Sequence, residues 1–215
     1  LIIIFNGPPG SGKDEAASYF KRLGFKHLSF KYVLFQETIS YFGVTHDWFM
    51  KDYDNRKVKE RPEKALKGMS RREALIHVSE EVIKPVEGLD FFGRCVAEEI
   101  RDTEDYAVSD GGFIEELTPI INKIGTGNIV LVQLTREGCN YSTDSRRYFD
   151  GNLVKEFVLN HQTPIKKQHV LSYKFDIKTY RIHNNSTIED FYGVLQEIYQ
   201  SEKAVNETGE EGKAA

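Results

Sequence analysis

Cysteine is nearly absent from this sequence. Only Cys95 and Cys139 occur in 215 residues, too few for a disulfide-stapled secreted domain and without the Cys/His spacing of a zinc site. The six histidines are scattered and form no H-x-x-x-H pair, which excludes the common transition-metal centres held by protein ligands. No apolar run approaches the roughly 18 to 20 residues of a membrane span, and no charged leader precedes an apolar segment of secretory length. The expectation is a soluble, cytoplasmic protein without a membrane partner. Leu1 already belongs to the first apolar run, so the numbering is read as starting after an initiator Met. A net charge of -4 argues against a general nucleic-acid coat. Apolar residues are not scarce: they make up 40% of the chain, enough for one core. A single domain is expected over residues 1–200, followed by an acidic, disordered tail over 201–215.

What the sequence does have is concentrated near its start. Leu1-Ile2-Ile3-Ile4-Phe5 is an uninterrupted apolar run, the mark of a strand buried on both faces. It leads into Asn6-Gly7-Pro8-Pro9-Gly10-Ser11-Gly12-Lys13-Asp14. Gly7, four residues and then Gly12-Lys13 match the phosphate-binding loop G-x-x-x-x-G-K-[ST] except at the last position, where Asp14 stands. The chemistry follows from the residue types. Glycines let successive N–H groups converge on an anion, the helix that follows adds its positive end, and the lysine adds a mobile charge.

Later segments supply candidates for a second substrate. Residues 51–72 hold nine Lys or Arg against four Asp or Glu, net +5 in an acidic chain, either a solvated face or a surface for a phosphorylated acceptor. Ser70-Arg71-Arg72-Glu73 is a capping box, whose helix carries Leu75, Val78 and Val82 inward and is predicted to stop near Pro85. Arg71 and Arg72 oppose that helix's dipole, a conflict that a bound anion would resolve. The aromatics of residues 31–49 are either core or, for one or two rings, platforms for a base. Phe25 to Phe30 reads as a short strand. Tyr106 to Ser109 reads as another, ending in Asp110-Gly111-Gly112-Phe113, where a carboxylate at a strand tip either holds a metal-bound water, orients an acceptor hydroxyl or marks a plain turn. Ile129 to Leu134 is a further buried strand. Arg136, Arg146 and Arg147 follow it, cations suited to charge that moves during phosphoryl transfer or to a solvated surface. Residues 160–178 show no clear period. Tyr180 to His183 is the last strand, and Asn184 or Asn185 either caps the closing helix or touches a base.

Taken together, GPPGSGKD (7–14), HLSF (27–30), SRREALIHVSEEVIKP (70–85) with Gly88 and Phe91-Phe92 after it, SDGGF (109–113) and IHNNSTIEDF (182–191) resemble the phage P-loop nucleotide kinases. The relatives in question are deoxynucleoside monophosphate kinases and phage kinases that phosphorylate 5-hydroxymethyluracil within DNA. The resemblance implies a three-layer α/β fold around a five-stranded parallel sheet, a helical acceptor-binding insertion over about 31–100 and an Arg-bearing lid over about 136–152. It places ATP phosphates and Mg²⁺ at Gly7, Pro8, Pro9, Gly10, Ser11, Gly12, Lys13 and Asp14, to which the reading of the residues adds Asn185 for ATP and Asp110 beside Asp14 for Mg²⁺. With the resemblance placing Arg136, Arg146 and Arg147 in the lid, the expected catalytic residues are Lys13, Asp110, Arg136, Arg146 and Arg147, and the expected acceptor contacts are Ser29, Arg56, Arg71, Arg72, Gly111, Gly112 and Phe113. One departure stands out: deoxynucleotide kinases tend to have an Arg after the strand-end Asp, where this chain has Gly111-Gly112. The expectation is an ATP-dependent kinase of deoxynucleoside monophosphates, monomeric or homodimeric. The alternatives are a DNA acceptor and a nucleotide-binding switch that transfers nothing.

Overall fold

The computed structural model describes residues 1–142, 146–161, 175 and 177–211. Most of the patternless stretch 160–178, including 162–174, lies outside the described residues. The chain divides into two compact units, one of residues 1–27, 102–114 and 125–215, the other of residues 28–101 and 115–124.

The first unit is built on strands β1 (Ile2–Asn6), β2 (Lys26–Leu28), β3 (Tyr106–Gly111), β4 (Ile129–Thr135) and β5 (Lys178–His183), in the order β2-β3-β1-β4-β5. The sheet is parallel throughout, and the apolar runs occupy its centre, where both faces are covered. Period 2 divides those runs between the faces. Ile3, Phe5, Val130, Val132, Leu134 and Ile182 meet Ala16, Ala17 and Phe20 of α1 (Lys13–Arg22) and Phe191, Leu195 and Ile198 of the closing helix Ile188–Glu211. On the opposite face of β5, Thr179 accepts a hydrogen bond from the Gly151 amide at the start of helix Gly151–His161, at 3.0 Å.

The closing helix continues to Glu211, where the sequence predicts disorder from Ser201. Buried Glu202 holds it down, accepting from Lys178 Nζ at 3.0 and 3.1 Å and from the Tyr180 hydroxyl. Its start also differs from expectation. Thr187 is the cap, its Oγ1 accepting from the Asp190 amide at 3.2 Å while Asp190 reaches back to the Thr187 amide at 3.4 Å. Neither Asn184 nor Asn185 is needed for capping.

The second unit is helical. Its elements are α2 (Phe30–Phe42), α3 (His46–Met50), α4 (Arg56–Lys59), α5 (Arg71–His77), α6 (Lys84–Glu87), α7 (Phe91–Glu99) and α8 (Leu117–Ile124); the helices of the first unit are α1, α9 (Gly151–His161) and α10 (Ile188–Glu211). The strand predicted to run to Phe30 stops at Leu28, because Ser29 caps α2 by accepting from the Lys31 amide at 3.2 Å. The capping box forms as predicted, with Ser70 Oγ taking the Glu73 amide at 3.2 Å and Glu73 taking the Ser70 amide at 2.8 Å. The helix it opens passes through Pro85. A π-helical stretch over Val78–Ile83 joins α5 to α6, and the widened turn removes the carbonyl clash by which proline stops an α-helix. Phe49, Leu66, Ala74 and Leu75 form this unit's core, with Phe35, Phe42, Trp48 and Tyr53 against it, so most aromatics of residues 31–49 are packing residues. α7 and α8 cross at Gly93, where a Cβ would lie 2.2 Å from the Glu116 carbonyl oxygen.

Candidate active site

The glycine loop lies between β1 and α1, the central strand and the first helix of the sheet unit. Gly12 caps α1 with φ of 102°, a left-handed conformation that favours glycine. A Cβ there would also lie 2.5 Å from Asn184 Nδ2, the atom that donates to the Ser11 carbonyl at 3.0 Å. The segment after β5 thus braces the loop. Gly7 is required by space: its Cβ would lie 2.5 Å from the Leu134 carbonyl oxygen and 2.6 Å from Ser11 Oγ. Lys13 is buried, and its ammonium donates to the Pro8 carbonyl at 2.7 Å, inside the ring the loop makes. Ser11 Oγ is buried without a hydrogen-bond partner among the described residues, so a donor remains for a ligand or water. A helix N-terminus, a buried lysine ammonium and an unused hydroxyl fit polyphosphate oxygens.

Asp14, the departure from the loop motif, is exposed in the first turn of α1. Asp110 is buried near the end of β3. There the sheet register slips, Ile4 pairing with Val108 but Asn6 with Gly111. One extra residue is thus fitted opposite Phe5, a bulge of the kind that re-aims side chains beside functional sites. Among the described residues no group of three or more His, Cys, Asp or Glu could hold a metal ion.

The arginines after β4 divide. Arg136 and Arg147 are exposed. Arg146 is half-buried, its side chain filling the space above Gly112: a Cβ on Gly112 would lie 2.1 Å from Arg146 Cδ and 2.6 Å from its Cγ. Asn185 is exposed, and its Oδ1 accepts from the Glu137 amide at 2.8 Å, joining the segments that leave β4 and β5. Cys139 Sγ lies beside Gly10, 3.2 Å from where a Cβ would stand.

In the helical unit, Arg71 finds partners the sequence does not reveal. Its side chain is buried, with Nη1 donating to the Lys51 carbonyl at 2.6 Å and Nη2 to the Trp48 carbonyl at 3.1 Å. The negative end that two arginines at a helix start demand is supplied, for Arg71, by the carbonyls that end α3. Arg72 is half-buried and close to Tyr53, whose hydroxyl pKa is raised well above its ordinary value by burial, against the pull of the Arg72 cation. Arg56 is exposed and paired with Glu60 at 3.1 Å. Ser29 is occupied as the cap of α2, and Phe113 is half-buried after β3.

Two residues of the sheet unit were missed by the sequence reading, and a third, Asn184, was read only as a cap or a base contact. Asn6, fully buried, donates from Nδ2 to the carbonyls of Gly111 at 3.0 Å and Arg147 at 2.9 Å, and its Oδ1 accepts from the Phe149 amide at 3.3 Å. Gln133, its neighbour on β4, donates to the Phe149 carbonyl at 3.0 Å. Asn184 braces the loop, as described. The available signal was small: a lone amide side chain ends the apolar run of β1 at Asn6 and interrupts that of β4 at Gln133.

No family model matches this chain, and no curated protein matches it. Among solved structures it is similar to a Chloroflexus aurantiacus protein named only provisionally as a kinase, with a TM-score of 0.43 and 13% identity over 93% of this chain and 96% of that one. It is similar to a Thermus thermophilus protein with a TM-score of 0.41 and 15% identity, covering 94% and 97%. It is also similar to shikimate kinase from Acinetobacter baumannii, solved with shikimate, with a TM-score of 0.38 and 15% identity, covering 93% and 90%.

Proposed function

We propose that the chain is a P-loop phosphotransferase that moves the terminal phosphoryl group of ATP to a deoxynucleotide, with a deoxynucleoside monophosphate as acceptor. The observation that carries this reading is the loop of residues 7–14, with its left-handed Gly12, interior Lys13 ammonium and unpartnered Ser11 hydroxyl between the central strand and α1. Transfer through a loose transition state requires positioning and charge stabilisation more than a strong base. The loop amides and Lys13 bind and neutralise the phosphates. Asp110 orients the attacking oxygen, and Arg146, with Arg136 and Arg147, follows the charge that develops during transfer. Mg²⁺, when bound at Asp14 and Asp110, supplies further neutralisation of the phosphate oxygens. Arg72 and Arg56 take the acceptor's anion.

The test is labelled ATP offered with a panel of deoxynucleoside monophosphates and, separately, DNA containing 5-hydroxymethyluracil, scored for the product that gains label. Label on a monophosphate is the expected result; hydrolysis alone, with no labelled acceptor, would favour a switch. Lys13→Ala is expected to abolish transfer with an unchanged circular dichroism spectrum, and full activity in that variant would overturn the scheme. The DNA acceptor is the second reading. It is favoured by the +5 segment 51–72 and by Gly112, which bears no side chain of its own to take a free monophosphate; binding would then weaken steeply with salt.

A further inference from the structure

Asn6 is fully buried, ends the strand that feeds the phosphate loop, and has no part in the chemistry described above. Its carboxamide ties β1 to two other pieces of chain by three hydrogen bonds: to the tip of β3 through the Gly111 carbonyl at 3.0 Å, and to the arginine segment through the Arg147 carbonyl at 2.9 Å and the Phe149 amide at 3.3 Å. Gln133 takes the remaining end of Phe149, donating to its carbonyl at 3.0 Å, while its own Oε1 accepts from Arg181 Nε at 2.9 Å. Both main-chain groups of Phe149 are therefore held by amide side chains from adjacent strands. The ring of Phe149 is itself buried. With the segment fixed there, the Arg146 stem runs over Gly112, two residues beyond Asp110, through space that any side chain at Gly112 would occupy.

We infer that Asn6 and Gly112 are positioning residues that seat Arg146 on the tip of β3 before nucleotide binds, so that this arginine is a fixed part of the site. The inference rests on the phosphotransferase reading for its consequence, although not for its geometry. A guanidinium already in place stabilises charge without reorganisation at the moment of transfer, whereas a displacement of about 1 Å costs up to about 100-fold in rate. Gly112 is not in the left-handed region, so alanine there is opposed by the Arg146 stem and not by its own backbone.

That makes a double-mutant cycle decisive. In the full chain, Gly112→Ala is expected to lower kcat by about 10- to 100-fold with the KM for ATP within about twofold, and to speed amide hydrogen exchange at Arg147 and Phe149 by at least about tenfold. Asn6→Asp, which keeps the side chain's shape but replaces its N–H donors with a carboxylate facing two carbonyls, is expected to do the same. Adding Arg146→Gly to Gly112→Ala, which also removes the Cβ that would stand 3.1 Å away, is expected to return the exchange rates to those of Arg146→Gly alone and to cost no further kcat. Unchanged exchange in Gly112→Ala, or additive losses in the double variant, would overturn the inference. A wild-type protein that transfers phosphate to no acceptor would instead overturn the functional reading, while the exchange measurements still decide the positioning.

Discussion

Asp14 and the pair Arg71-Arg72 show how far a residue's type determines its use. Asp14 stands where phosphate loops usually carry a hydroxyl, exposed at the start of α1, free to approach a cation held by nucleotide phosphates. Asp14→Ala is accordingly expected to raise the Mg²⁺ concentration needed for half-maximal activity about tenfold or more while leaving metal-free nucleotide affinity within about twofold. Titrating activity against Mg²⁺ decides it; an unchanged requirement would remove Asp14 from the metal site. Adjacent arginines part company through burial alone. Arg71 ties α3 to α5 through two charge-assisted hydrogen bonds, so Arg71→Ala is expected to cost about 2 kcal/mol or more in urea denaturation. Arg72→Ala is expected to leave stability within about 0.5 kcal/mol and raise the KM for the acceptor. The reverse pattern would exchange their roles. The loop glycines were legible as structural necessities, Gly12 by its left-handed conformation and Gly7 by the space it leaves to the Leu134 carbonyl. The contacts of Asn6, Gln133 and Asn184 were not, because their partners lie 105 to 143 residues away for Asn6, 16 and 48 for Gln133 and 173 for Asn184, and no local pattern records such a contact.

The elements followed the same division. Continuous apolar runs at residues 2–5 and 129–134 could only be buried strands, and both are. Helix starts were legible where a capping box was complete, as at Ser70, but the start of α10 was misread because two asparagines precede the Thr187 that caps it. Pro85 was read as a stop, and only the π-helical stretch before it explains why the chain passes through. Both capping carboxylates carry a pH signature. Hydrogen bonds from the Ser70 backbone and side chain hold the Glu73 carboxyl below its ordinary pKa, and those from Ser186 and Thr187 do the same for Asp190. A carboxylate with a depressed folded-state pKa contributes stability that is present above its unfolded value and lost as pH falls through the folded one. Glu73→Gln removes that titration while keeping an acceptor for the Ser70 amide. The gap in melting temperature between wild type and Glu73→Gln is therefore expected to be largest near neutrality and to close over roughly pH 5 to 3. A gap independent of pH would show that the cap does not act through its charge.

At the scale of the whole molecule, the parallel sheet was legible in outline because strand, loop and helix recur along the sequence, whereas the strand order β2-β3-β1-β4-β5 was not. The division into two units was legible only in part. Residues 115–124, distant in sequence from 28–101, join the helical unit through α8, whose crossing with α7 depends on the missing side chain of Gly93. The sheet unit is likewise assembled from three stretches of chain, and that has a consequence for the order of events during synthesis. The phosphate loop receives its brace from Asn184, 173 residues downstream of Ser11. A growing polypeptide therefore carries the loop's glycines and lysine long before it carries the side chain that holds them in shape. Stalled nascent chains of increasing length, probed for retention on immobilised ATP, are expected to gain affinity only once Asn184 and the helix beyond it have left the ribosome tunnel. Retention by chains that end before Asn184 would show that the loop shapes itself. On this timing, the loop takes its braced shape only as the sheet unit is completed.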